Sequence, residues 1–226
     1  MAEPWETLDA VATADGLLEL RRRGEGELLI TLAGRVLMNS RANRSELALG
    51  EQACRAIAVR PKPRVLIGGL GMGCTLRACL DALPADAEVV VVERNADVIR
   101  WCREEPLAAL TAHAAADPRV RVQRGDVADA IRAAAHPGAA RFDAIVLDLY
   151  EGPRPSTPRD DPHYGEAALA AARAALRERG VFAVWSEDPS AAFEKHLTRA
   201  GFTVRTERPG RGGRRHVVYL GERSRR

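Results

Sequence analysis

Residues 65–73 read Val-Leu-Ile-Gly-Gly-Leu-Gly-Met-Gly, a short apolar run that breaks into glycines at every second position. Val65–Ile67 has no polar face, as expected of a strand covered on both sides. Gly69, Gly71 and Gly73 allow a sharp turn with close backbone approach, and the residues from Cys74 to about Ala82 read as a helix. Strand, glycine turn and helix in that order form a βα unit, which rules out all-α and all-β architectures. The unit then recurs. Strands are expected at Glu88–Glu93, Val120–Gln123, Phe142–Leu147 and Val181–Trp185. Helices are expected at Ala96–Arg103, at Val127–Ala135, from Glu166 to Arg177 with Gly180 closing it, and at Ser190–Ala200. Phe202–Arg205 and His216–Leu220 read as a terminal hairpin. Such alternation predicts an α/β fold with a doubly wound, mostly parallel sheet.

The first sixty residues differ. Leu17–Leu20, Glu27–Leu32 and Arg35–Met38 are β-type runs separated by Gly24, Gly26 and Gly34, and they predict a small N-terminal β-hairpin appendage. Ser45 is placed to cap a helix over Glu46–Val59, which Pro61 and Pro63 end. The expected division is therefore residues 1–60, hairpin region and leading helix, and residues 61–226, the α/β domain. A chain of 226 residues with 46% hydrophobic residues can bury an adequate core without staples. Cys54, Cys74, Cys79 and Cys102 show no CxxC spacing, so reduced thiols and a cytoplasmic setting are expected. No run is long enough to span a bilayer, so no membrane partner is expected.

Net charge, +3, misleads if taken as a whole. Residues 205–226 hold eight Arg against Glu207 and Glu222, so residues 1–204 carry −3 and a nucleic-acid partner has little support. The preference for Arg over Lys (only Lys62 and Lys195 are lysine) reads as a composition bias, and Arg208–Arg215 as a solvated basic turn. Three acids are placed more tellingly. Glu93 ends the second strand of the α/β region, twenty residues past Gly73, where a carboxylate can accept hydrogen bonds from both hydroxyls of a ribose. Asp126 follows the third strand, where it can cap the next helix or receive an adenine amino group. Asp148 ends the fourth. Strand ends of one sheet converge on one crevice, so this trio fits an adenosyl ligand.

After Asp148 comes Glu151–His163, interrupted by Pro153, Pro155, Pro158 and Pro162. A long irregular loop at the carboxyl end of a strand suits a lid over a ligand. Asp160, Asp161 and His163 lie close together but have no well-spaced further ligand, so no metal site is expected. No GxSxG elbow is present, which removes serine hydrolase chemistry. Trp101 reads as packing.

Gly69–Arg77 (GLGMGCTLR), Glu93, Gly125-Asp126, Phe142–Asp148 and Gly180–Trp185 together resemble the spermidine synthase family, the polyamine aminopropyltransferases. The resemblance runs from about Leu28 to Leu220. It implies a Rossmann-like sheet of the class I methyltransferase type and an S-adenosyl-L-methionine or decarboxylated S-adenosylmethionine donor. Donor-binding residues would be Gly69, Leu70, Gly71, Met72, Gly73, Glu93, Asp126 and Asp148. The partner would be a small, cationic acceptor, and the assembly a homodimer. Three departures bear on the reaction. Met72 stands where users of the decarboxylated donor carry an Asp that pairs with its ammonium. Ser45-Glu46-Leu47-Ala48-Leu49-Gly50-Glu51 replaces Asp-Glu-x-x-Tyr-His/Gln-Glu. Asp148-Leu149-Tyr150-Glu151-Gly152-Pro153 replaces Asp-x-x-Asp-Pro. From Met72 and the lost Tyr-His pair the expected reaction is methyl transfer from intact donor to an amine or hydroxyl. Aminopropyl transfer to an amine is the alternative, kept alive by Glu46, Glu51, Asp148 and Glu151, and a non-catalytic nucleoside-binding protein ranks behind both. Glu151 is the expected proton acceptor, Asp148 holds donor or nucleophile, and Tyr150 packs on the nucleophile or supplies a hydroxyl.

Overall fold

A computed structural model describes residues 3–209 and 216–224. Its centre is a seven-stranded sheet. Strands β5 (Arg64–Gly68), β6 (Glu88–Glu93), β7 (Val120–Arg124), β8 (Phe142–Leu147) and β9 (Leu176–Ser186) run parallel. Strands β10 (Phe202–Glu207) and β11 (Val217–Arg223) add an antiparallel edge, giving the order β10-β11-β9-β8-β5-β6-β7. Helices α1 (Arg44–Arg55), α2 (Cys74–Ala82), α3 (Ala96–Trp101) and α4 (Leu107–Leu110), with a 3-10 turn at Ala114–Ala116, precede β7. Helices α5 (Val127–Ala135), α6 (Glu166–Ala175) and α7 (Ala191–Arg199) follow it.

The valines of β6 show why this sheet must be covered twice. Val89 and Val91 join the apolar cluster on one face of the sheet, and Val90 and Val92 join that on the other. A strand without a polar face is stable only when both neighbouring layers exclude water. The chain reverses direction across the sheet between β5 and β8, so their carboxyl ends border a crevice, as in other doubly wound sheets.

The appendage is larger than the hairpin expected from sequence. Strands β1 (Glu6–Thr13), β2 (Gly16–Arg23), β3 (Glu27–Leu32) and β4 (Arg35–Asn39) form a separate four-stranded antiparallel sheet. The strand β1 escapes a pattern reading because its buried contribution is slight, Leu8 and Val11 being only partly covered. It is held instead by Asp9, which accepts from the Trp101 indole at 2.7 Å and pairs with Arg100 at 2.5 Å. Leu18, Leu28 and Ile30 join the same apolar cluster as Val65 and Ile67, so the two sheets share a core.

Two helix boundaries also move. Helix α1 starts at Arg44 behind Asn43, so Ser45 lies inside its first turn rather than capping it, and the helix stops at Arg55, short of the exposed Val59. Helix α6 ends at Ala175, not Arg177, because Leu176 enters β9 fully buried opposite Phe142. Arg177 is drawn toward Asp143, whose fully buried carboxylate binds Arg60 at 2.7 Å, Arg177 at 2.9 Å and the Arg64 N–H at 2.8 Å. This carboxylate ties three segments together at the edge opposite the crevice. The basic segment at 210–215 lies outside the described residues. Among the described residues no helix is long and apolar enough to cross a membrane.

Removing the Asp143 carboxylate leaves two guanidiniums and a backbone N–H without their acceptor. Asp143→Ala should cost about 3 kcal/mol in urea unfolding, at the low end for a buried pair because both Arg side chains reach water. An unchanged midpoint contradicts that role.

Candidate active site

A cavity of about 730 Å³ lies at the carboxyl ends of β5, β6, β7 and β8, roofed by the N-terminal sheet and the proline-rich loop. Its floor depends on Gly69. That residue has φ +88°, and a Cβ there would sit 2.2 Å from the Asp148 carbonyl oxygen, so only glycine lets the turn pass over the end of β8. Of the five turn residues expected to bind a ligand, Gly69 and Gly71 line the cavity. Leu70, Met72 and Gly73 do not line it; the Leu70 N–H is bonded to Glu93, and Gly73 precedes the first turn of α2. Leu70 and Met72 are each 3% exposed and packed in the core.

The three strand-end acids do converge, and each lines the cavity in a different state. Glu93 accepts from the N–H of Leu70 at 2.9 Å and of Asn95 at 2.8 Å, so it braces the glycine turn while retaining acceptor capacity toward the cavity. Asp126 caps α5 through the Ala128 N–H at 2.9 Å and meets His163 Nε2 at 2.9 Å. Burial opposes its ionisation, but those two partners outweigh it and hold the carboxyl below its ordinary range. His163 is therefore a site residue, and Asp161 accepts from the N–H groups of His163 and Tyr164, at 2.9 and 2.8 Å. Among the described residues no three His, Cys, Asp or Glu side chains are grouped to hold a metal.

Asp148 is the perturbed member. Burial, with the charge of Glu46 added to it, pushes its pKa up to about 7 against the opposing Thr75 hydroxyl. Thr75 Oγ1 lies 2.6 Å from Asp148 Oδ2 and 3.2 Å from the Glu46 carbonyl oxygen. One hydroxyl proton cannot serve two acceptors at once. Both contacts are satisfied together when Asp148 carries a proton and donates it to Thr75, while Thr75 donates to Glu46. The geometry thus suits a carboxyl that exchanges its proton near neutral pH.

Glu151, four-fifths covered, has φ +65° and pairs with Arg154 at 2.8 Å and Arg35 at 3.4 Å. Tyr150 is half-exposed beside it, with the Arg35 guanidinium 5.7 Å from its ring centre. The backbone of this loop is anchored on the end of β9, where Glu187 N–H donates to the Glu151 carbonyl and Ser186 to that of Pro153. Glu51 is exposed and pairs with Arg55, away from the cavity. The four cysteines are buried free thiols, and burial pushes Cys74 to about 11 and Cys102 to about 12, so neither is an activated nucleophile.

Thr75 and Tyr164 were not singled out from sequence. Tyr164 lines the cavity at 6% exposure, and its hydroxyl has no hydrogen-bond partner among the described residues. A buried, unpartnered hydroxyl beside a polar cavity calls for a ligand atom. Nothing in the spacing of Pro162-His163-Tyr164 distinguishes this from an ordinary core tyrosine.

No known family model matches the sequence. A 125-residue stretch, 55% of the chain, is 34% identical to polyamine aminopropyltransferase 2 of Streptomyces coelicolor, and covers 21% of that protein. The chain thus spans about a fifth of the length of this curated relative. Spermidine synthase from Thermotoga maritima superposes with a TM-score of 0.71 at 20% identity, covering 96% of this chain and 73% of that one. A spermidine synthase solved with the transition state analogue AdoDATO gives 0.70 at 19% identity, over 96% and 72%. Human methyltransferase-like protein 13 in complex with SAH gives 0.56 at 18% identity, over 80% of each chain.

A raised carboxyl disfavours the folded state once it must ionise. Asp148 therefore contributes stability that is full below its ordinary value of 3.8 and is lost as pH rises to about 7. Asp148→Asn cannot ionise, so its melting temperature should gain on that of the unsubstituted chain between those limits and hold a constant offset above them. A constant offset throughout would show that the carboxyl is not perturbed. The chain thus shares its fold with spermidine synthase over 96% of its length, and over 125 residues its sequence is similar to a polyamine aminopropyltransferase.

Proposed function

We propose that the chain is a transferase that binds an adenosyl sulfonium donor and passes its aminopropyl group to a small amine. The observation that carries this reading is the convergence of Glu93, Asp126 and Asp148 on one cavity, with Asp148 poised to exchange a proton near neutrality. The residues present fit such a donor: two carboxylates in polar settings, a turn that presents Gly69 and Gly71 to the cavity, and the unpartnered Tyr164 hydroxyl. When bound, the donor supplies a carbon activated by a sulfonium leaving group.

Glu93 would hold the ribose hydroxyls, Asp126 the adenine amino group, and the turn at Gly69 and Gly71 the tail. An amine acceptor is protonated at neutral pH and must lose a proton to attack carbon. The Asp148 carboxylate takes that proton, because its affinity for one is matched to the working pH. Glu151 was the acceptor expected from sequence. Two guanidiniums already engage its carboxylate, so its role here is to hold the loop and Tyr150 at the mouth. The cavity wall excludes water and aligns the amine with the reacting carbon.

Methyl transfer, preferred from sequence because of Met72, is the second reading. Met72 is buried in the core rather than lining the cavity, so its missing charge discriminates less than the sequence suggested. The likeness to an aminopropyltransferase over 55% of the chain weighs the other way. What still favours methyl transfer is that the glycine turn offers no carboxylate to the ammonium of a decarboxylated donor.

Calorimetry with both donors separates these readings. Aminopropyl transfer requires tighter binding of decarboxylated S-adenosylmethionine than of S-adenosylmethionine, and the reverse order returns the assignment to methyl transfer. Glu93→Ala should weaken either donor about a hundredfold, the value of losing two hydrogen bonds to a charged group. Undiminished binding would place the nucleoside elsewhere. Asp148→Asn should retain donor binding and lose turnover, whereas Glu151→Gln should retain both within about tenfold. Full turnover by Asp148→Asn returns the proton to Glu151.

A further inference from the structure

Outside the cavity, on the far side of Glu46, lies a polar chain that the proposed reaction does not use. Ser45 is buried at 4% exposure in the first turn of α1. Its hydroxyl lies 2.5 Å from Glu46 Oε2 and 2.9 Å from His216 Nδ1. His216 precedes β11, and its ring packs edge-on against Trp185 of β9 with centroids 4.9 Å apart. Ser45 has one proton to give. The 2.5 Å contact has the length of a hydroxyl donating to an ionised carboxylate, which assigns that proton to Glu46. The Ser45 oxygen is then an acceptor toward His216, so Nδ1 must carry a hydrogen. The donors run one way: His216 to Ser45, Ser45 to Glu46.

We propose that His216 and Ser45 form an arm that holds Glu46 as an anion facing Asp148, making His216 a positioning residue for the site carboxylate although it touches neither cavity nor ligand. The carbonyl of Glu46 takes the Thr75 hydroxyl, and its side chain supplies the negative charge that disfavours a second anion at Asp148. Helix α1 thus acts on Asp148 through one residue in two ways, and the terminal hairpin acts through the arm on the side chain alone. Without the arm, the Glu46 side chain is free to turn toward water, less negative charge faces Asp148, and Asp148 ionises at lower pH.

The neighbours that could confuse this reading do not titrate in the same range. Asp148 faces Glu46 from α1, Thr75, Cys74 and Cys79 from α2, and Tyr164 from the loop before α6. Thr75 does not ionise. Cys74 is pushed to about 11, and burial also raises Tyr164, while Cys79 is raised by its contact with Cys54 and by burial. His216 faces Ser45 and the edge of Trp185, neither of which carries charge. The range from about pH 5 to 9, which brackets the Asp148 midpoint, therefore lies clear of the raised thiols and phenol.

The carboxyl carbon of Asp148 in the folded, ligand-free chain can be followed by 13C NMR across that range. His216→Phe and Ser45→Ala should each lower its midpoint by about one pH unit, and Glu46→Gln by at least as much. Adding His216→Phe to Glu46→Gln should produce no further shift, since the arm has nothing left to hold. His216→Asn, whose amide N–H can stand in for Nδ1–H, should return the midpoint close to that of the unsubstituted chain. An unmoved midpoint in His216→Phe and Ser45→Ala, or the same shift in His216→Asn as in His216→Phe, overturns the proposal. Should the Phe variant fail to fold, the imidazole of His216 reports from the other end: its Nδ1 nitrogen resonance moves in Glu46→Gln if the arm links them and stays put if it does not. None of these readouts requires a donor, an acceptor or turnover, so the result stands apart from the fate of the transferase reading.

Discussion

The close crossing of Gly69 over the carbonyl of Asp148 is the contact on which the site depends. With a Cβ only 2.2 Å from that oxygen, any other residue would force the turn after β5 away from the end of β8. The crossing brings the start of α2 under Asp148, so that Thr75 meets its carboxylate. It also sets Leu70 where its N–H reaches Glu93 at 2.9 Å. One missing side chain therefore registers two strands, a helix and two site acids against each other. Asp143 does comparable work at the opposite edge, where it only holds the sheet together.

Four carboxylates around one cavity are held in four ways, and chemistry follows the surroundings rather than the residue type. Backbone N–H groups brace Glu93, which suits a fixed acceptor. Asp126 is a helix cap that also engages His163. Two guanidiniums neutralise Glu151, which suits a strut in a loop. Asp148 meets the Thr75 hydroxyl, and burial together with the charge of Glu46 raises it above its ordinary range. A titratable group whose environment sets it apart from chemically identical neighbours is the natural candidate for proton transfer.

Elements with a period or a punctuation mark were readable from the sequence. Strands β6 and β8 and helices α2 and α5 fall on the expected residues, because each has unbroken apolar faces bounded by glycine or an acidic cap. Strand β1 was not readable, since it is held by Asp9 bonding to Trp101 across more than ninety residues. The end of α6 departs from its sequence pattern for a related reason: Leu176 and Arg177 have good helical propensity, but burial opposite Phe142 and the pull of Asp143 draw them into β9. Tertiary contacts override local preference there. The strand-end acids were legible from position alone. Thr75, Tyr164 and the Ser45–His216 contact were not, because each depends on which way a side chain faces after distant segments meet.

The proposed function requires Glu93, Asp126 and Asp148 to surround one nucleoside with its sulfur over Asp148. A crystal structure of the chain with 5′-methylthioadenosine tests that most directly. The ribose should lie on Glu93, the adenine beside Asp126, and the sulfur above Asp148, between Gly69 and Tyr164. A nucleoside bound elsewhere, or in this cavity with its ribose turned away from Glu93, would contradict it.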